Sequence, residues 1–215
     1  MKPDKILFID TETGGIDPAN NSLLSLALVV WEDSKIKSST EILINDGILN
    51  VTEKALEING IDLTEHKKKA ITPDLAIEKF DSFLKEHFRD DEKITLGGHN
   101  ITFDVNFLNT FLTRNGYSFQ KRFSHRYVDT ATILFYLYLT GKLNRRLTSS
   151  QDAFDYFGIA VKGRHTALGD VIATAKLFSQ LISIINRSSK GKAAIQKNLP
   201  DLFTQSSNDS PTTAS

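Results

Sequence analysis

The chain has no cysteine among its 215 residues. That excludes a disulfide framework, is compatible with a reduced cytosolic environment, and makes the cytoplasm the expected location. It also lacks an excess of either charge, with 26 Lys and Arg against 26 Asp and Glu. The whole-chain field therefore offers no general attraction to a polyanion. Long unbroken apolar runs are missing too. The longest, Leu23 to Trp31, is interrupted by Ser25, so neither a signal peptide nor a membrane span is expected. No internal repeat is visible.

What remains is 40% hydrophobic, enough for a substantial core. Strands are expected at residues 5–10, at Ser22 to Trp31 and at Thr40 to Ile44. Gly14-Gly15 and Asp17-Pro18 supply turns between the first two, and the short connections suggest an antiparallel meander. Thr52 caps a helical segment that stops at Asn59-Gly60. Thr72-Pro73-Asp74 opens another helix, with Leu75, Ile77, Phe80, Phe83 and Leu84 as its apolar positions. Ile94 to His99 reads as a buried strand, followed by a helix from Phe103 to Arg114. Tyr127-Val128-Asp129-Thr130 marks another strand-to-helix junction, with Asp129 as an N-cap; further helices are expected at Thr148–Phe157 and Ala167–Ile185. Strands followed by alternating strands and helices predict an α/β domain with a mixed sheet over residues 1–185. From Asn186 to Ser215 the composition turns polar, and a disordered tail is expected.

The first strand ends in Asp10-Thr11-Glu12. Side chains two apart leave the same face, so the two carboxylates converge while Thr11 points away. Like charges held together call for a cation, and oxygen donors without cysteine or clustered histidine suit magnesium or manganese. Asp104 stands where the buried strand passes into a helix. Asp170 follows five residues after His165, in the first turns of the last long helix. Together these form a plausible site of four carboxylates and one base. Two basic clusters, Lys142 with Arg145 and Arg146, and Lys162 with Arg164, are candidates for phosphate contacts beside such a site.

The ordered set Asp10-Thr11-Glu12-Thr13-Gly14, His99-Asn100 with Phe103-Asp104, Val128-Asp129-Thr130, and His165 through Asp170 resembles the DEDDh 3′–5′ exonucleases. That is the family of the proofreading epsilon subunit, ribonuclease T and oligoribonuclease. The resemblance implies a ribonuclease H-like mixed sheet flanked by helices, with Asp10, Glu12, Asp104 and Asp170 holding two divalent ions. His165 would be the general base, its ordinary pKa of about 6.5 suiting proton transfer near neutrality. Thr13, Gly14, Ile16, Asn100 and Phe103 would border the terminal nucleotide. The implied activity is release of nucleotides from nucleic-acid 3′ ends, single-stranded and with DNA slightly favoured. The alternatives are an RNA-trimming or short-oligonucleotide enzyme and a catalytically silent binding module, the latter having no need of His165 at that spacing. Val171 after the last acid and the paired Gly14-Gly15 depart from the common family pattern. In the tail, Gln196 to Phe203 resembles a sliding-clamp-binding peptide.

Overall fold

The computed structural model describes residues 5–163 and 166–189. Contacts divide the chain into units at 1–181 and 182–215. His165, Arg164 and the segment Gln196–Phe203 lie outside the described residues.

Three strands open the first unit: β1 (Lys5–Thr13), β2 (Leu23–Glu32) and β3 (Lys35–Leu43). Next come α1 (Glu53–Asn59), α2 (Leu63–Lys69), α3 (Pro73–His87), β4 (Ile94–Gly98) and α4 (Thr102–Arg114). The chain continues through α5 (Phe119–Arg122), β5 (Phe123–Asp129), α6 (Thr130–Leu139), α7 (Ser150–Tyr156) and α8 (Ala167–Ser189). The strand order is β3-β2-β1-β4-β5. β1–β2 and β2–β3 are antiparallel, as the meander requires, while β1–β4 and β4–β5 are parallel, so the sheet is mixed.

The third strand begins earlier than expected, at Lys35, because Asp33 and Ser34 both take positive φ (53° and 61°) and turn the chain in two residues. α2 was not anticipated; Asp62 caps it, accepting from the Thr64 and Glu65 amides. In α3 the inward position beside Ile77 is Ala76, and Leu75 is exposed, because the apolar stripe runs through 76, 80, 83 and 84.

β1 has helices on both sides. Leu7 and Ile9 point into a core shared with Phe80, Leu84, Phe107 and Leu108 of α3 and α4. Phe8 points the other way, its ring 5.4 Å from Phe178 of α8, and Trp31 donates to the Ser179 hydroxyl at 2.8 Å. By alternation, Asp10 and Glu12 share the α8 face with Phe8, whereas Thr11 shares the α4 face. Residues Ala167–Arg187 of α8 are long and apolar enough to cross a membrane by length and composition, although charged and polar residues interrupt the segment. In the domain Val171, Ala173, Leu177 and Leu181 are buried; the last three pack with Leu134, Leu137 and Phe154.

Candidate active site

β1 delivers the first two acids beside small partners. Asp10 pairs with Ala27 and Glu12 with Ser25 on β2, so their cross-strand neighbours on that side are small. The Asp10 carboxyl is driven well above its ordinary value, first by burial and then by Asp104, Glu12, Asp170 and Glu41. Glu12 is pushed up to about 8, by burial first and then by Asp170, Glu41 and Asp104. The four expected acids therefore feel one another's charge across β1, α4 and α8.

Asp104 reaches the site from the opposite side of the sheet. Its Oδ1 accepts from the Thr11 amide at 2.9 Å and from the Thr11 hydroxyl at 2.7 Å. Burial raises it to about 7, although the Thr11 hydrogen bonds pull it down. Among the described residues no three acidic or histidine side chains close into one metal-binding group. The donor set nevertheless fits a hard divalent ion, since it offers the carboxylate oxygens of the buried Asp104 and the half-buried Asp10, Glu12 and Asp170, whose mutual repulsion a cation would relieve.

Glu41 was not anticipated. It pairs with Ala27, which pairs with Asp10, so it lies in register on the same face of the sheet. Burial raises its pKa, opposed by interactions with Ser25 and with the Leu168 amide in the first turn of α8. Glu41 thus faces the start of the helix that carries Asp170, while Thr166 accepts from the Gly169 amide at 3.1 Å and caps it from within. Two strand registers separate Glu41 from Asp10, and no local signal in a single sequence encodes them.

A cavity of about 510 Å³ opens beside Glu12, lined by Thr13, Ile16 and Phe103 and also by Lys54, Ile58 and Asn59 of α1. Ile16 is 88% and Phe103 39% exposed, so both present apolar surface to it. The buried Asn59 donates to the Thr13 carbonyl at 3.2 Å, fixing α1 against the end of β1. Two expected nucleotide-binding residues are not on this wall. Gly14 is a support: its amide donates to Ser22 O at 2.8 Å, its carbonyl accepts from Thr52 at 2.7 Å, and a Cβ there would lie 2.2 Å from Asn50 O. Asn100, at φ 55°, donates its amide to Asp129 at 2.8 Å and lines a second cavity, with His99 and Arg146. Asp129 also accepts from the Ala131 amide, so it is the N-cap of α6.

A mixed sheet of this order, with half-buried acids at the end of its central strand, is the architecture of the ribonuclease H-like nucleases. The chain belongs to the exonuclease family, whose model matches residues 7–178. It is 28% identical over 193 residues to the 3′–5′ DNA exonuclease Cap18 of Escherichia coli, covering 88% of this chain and 98% of that protein. Ribonuclease T of Actinobacillus pleuropneumoniae is 24% identical, over 82% of this chain and 83% of the enzyme. A PolC-type DNA polymerase III of Pediococcus pentosaceus is 26% identical over 82% of this chain, which spans only 11% of the polymerase. Among solved structures, E. coli exonuclease I in complex with a dT13 oligonucleotide has a TM-score of 0.72 at 18% identity, over 87% of this chain and 43% of that one. The nuclease domain of 3′hExo, a DEDDh family member bound to rAMP, has a TM-score of 0.67 at 17% identity, over 84% and 92%.

Proposed function

We propose that this chain hydrolyses the terminal phosphodiester bond at single-stranded 3′ ends, with DNA slightly favoured, using two divalent ions, magnesium or manganese, held by Asp10, Glu12, Asp104 and Asp170. The observation that most supports this reading is the elevation of Glu12 to about 8 and of Asp104 to about 7 beside a cavity of nucleotide size. Acids kept that close without a cation cost stability, and such arrangements cluster at functional sites. Bound divalent ions would supply a more acidic water and neutralise charge on the phosphoryl oxygens.

The residues themselves do the rest. His165 accepts the proton of the attacking water, whose oxygen bonds to phosphorus as the bond to the 3′ oxygen of the preceding nucleotide breaks and that oxygen takes a proton from solvent to leave as a hydroxyl. Ile16 and Phe103 press on the terminal base, and the backbone around Thr13 borders the sugar. The preference for DNA is supported by the end-to-end match with Cap18, a DNA exonuclease. The match with ribonuclease T favours a second reading in which RNA ends are trimmed. Incubating 5′-labelled single-stranded DNA, duplex DNA, RNA and di- to pentanucleotides with magnesium tests both. A ladder shortening from the 3′ end is expected, fastest on single-stranded DNA; endonucleolytic fragments or no cleavage would overturn the assignment.

A further inference from the structure

α6 is apolar around nearly its whole circumference, yet only Thr130, Leu134 and Leu137 are buried. Phe135, Tyr136, Tyr138 and Leu139 are 43%, 62%, 37% and 65% exposed. At helical spacing these four form one outward face, an unusual concentration of aromatic surface for solvent to meet. The loop that follows brings cations to it. The Arg146 guanidinium lies 4.9 Å from the centre of the Phe135 ring. Arg145 is committed to Asp152 at 2.7 Å, whereas Lys142 and Arg146 form no ion pair among the described residues.

This face is joined to the candidate active site. A cavity of about 300 Å³ at the carboxyl ends of β4 and β5 is lined by His99, Asn100, Thr132, Phe135, Arg146 and Thr148. Asn100 stands two residues before α4, whose Phe103 lines the larger cavity and whose Asp104 faces Thr11. The two cavities therefore flank the start of α4 along the edge of the sheet where its three parallel strands end. Crevices at carboxyl strand ends are where open α/β sheets take their ligands.

We propose that the α6 face, with Phe135 and Arg146 at its inner end, carries the unpaired strand behind the 3′ terminus. This rests on the exonuclease reading above. A strand with its last nucleotide in the larger cavity leaves the site with its phosphates charged and its bases unstacked. Aromatic rings receive such bases irrespective of sequence, and a guanidinium over a ring adds a phosphate partner without turning away from the stack. The chain is neutral as a whole, so this local pairing of rings and cations is what matches a single-stranded polyanion.

The test separates the surface from the chemistry. Binding of fluorescein-labelled dT15 and dT3 to the full chain is measured by anisotropy in calcium, for the wild type, Phe135→Ala and Arg146→Glu, together with magnesium-dependent hydrolysis of the p-nitrophenyl ester of thymidine 5′-monophosphate. Each variant is expected to weaken dT15 binding roughly ten-fold. The rate on the small ester should stay within about two-fold, because a single nucleotide does not extend to the face, and dT3 should lose less affinity than dT15. Unchanged dT15 affinity in both variants overturns the proposal. So does a wild-type dimer, seen by light scattering, that Phe135→Ala dissociates without altering dT15 affinity, since the face then belongs to a second copy. Failure of the wild type to hydrolyse the ester and any oligonucleotide would count against the exonuclease reading and leave the anisotropy result to judge the surface.

Discussion

Thr11 holds Asp104 by two hydrogen bonds to a single carboxylate oxygen, one from its amide at 2.9 Å and one from its hydroxyl at 2.7 Å, across 93 positions of sequence. The contact passes from β1 to α4. Both hydrogen bonds favour the charged form, so they restrain the rise that burial imposes. Thr11→Val keeps the branched shape and the amide but removes the hydroxyl donor. The acid limb of the kcat/KM profile against pH is expected to move to higher pH; an unmoved limb with reduced rate would assign Thr11 to packing alone.

Binding of magnesium should release protons. Near pH 6.5, Glu12 at about 8 and Asp104 at about 7 are largely protonated in the metal-free protein. Calorimetry in buffers of different ionisation enthalpy is expected to show more than about one proton released per site at that pH, falling towards none as pH passes the higher value. Apparent affinity should rise over the same interval.

The same shifts set the sign of stability against pH. Glu12 has an ordinary value of 4.5 and is raised to about 8 on folding, so the folded chain holds a proton that the unfolded chain has shed. That contribution is favourable below the unfolded value and is lost as pH rises through the folded one. Metal-free protein should therefore melt lower at pH 8.5 than at pH 6, and saturating magnesium should reduce the difference.

Asp10→Asn preserves the shape of the side chain while removing the charge most opposed by its neighbours. Activity is expected to fall below detection under single-turnover conditions, and the metal-free variant should melt higher than wild type at pH 8. A variant that retains full rate would remove Asp10 from the site.

Gly169→Ala probes the entry to α8. An added Cβ would stand 2.3 Å from Gly163 O and 2.6 Å from Lys162 O, both backbone atoms, so the segment leading to position 165 has to move. A displacement on the order of 1 Å at a catalytic group can cost about 10²-fold in rate. That loss is expected on every substrate alike, with helicity by circular dichroism unchanged.

Glu41 separates charge from anchoring. Glu41→Gln keeps an acceptor for the Leu168 amide and removes one of the charges that raise Glu12, so the acid limb should shift to lower pH with kcat retained. Glu41→Leu removes the acceptor as well and should lower kcat more than it alters KM. Equal loss in both variants would make the charge the functional part.

Much of this was legible because it is local. Thr52, Asp129 and the proline at 73 mark helix starts by chemistry confined to a few residues, and the apolar stripe of α4 needs only its own period. Asp10 and Glu12 stand out because a run of buried apolar residues ends in two acids. α2 carries little local signal because Leu63–Lys69 is mostly polar, and Leu75 reads as part of the α3 stripe because it is an apolar residue beside it. The wall of the larger cavity was half legible. Thr13, Ile16 and Phe103 belong to the acid motifs, but Lys54 and Ile58 come from a helix whose docking against β1 depends on Asn59 and the Thr13 carbonyl.

By itself the sequence determined most of the elements and the mixed α/β character, and it singled out Asp10, Glu12, Asp104 and Asp170, since strand alternation, helix period and capping act over a few residues. Only the tertiary structure decided which side chains meet. Asp104 comes to Thr11 from beneath the sheet, Glu41 comes into line with Asp10 through Ala27, and Asn100 turns from the nucleotide-sized cavity to the one beside Arg146. Strand register and helix docking are settled by the packing of the whole core, and a one-residue slip in β2 or β3 would send Glu41 to the opposite face.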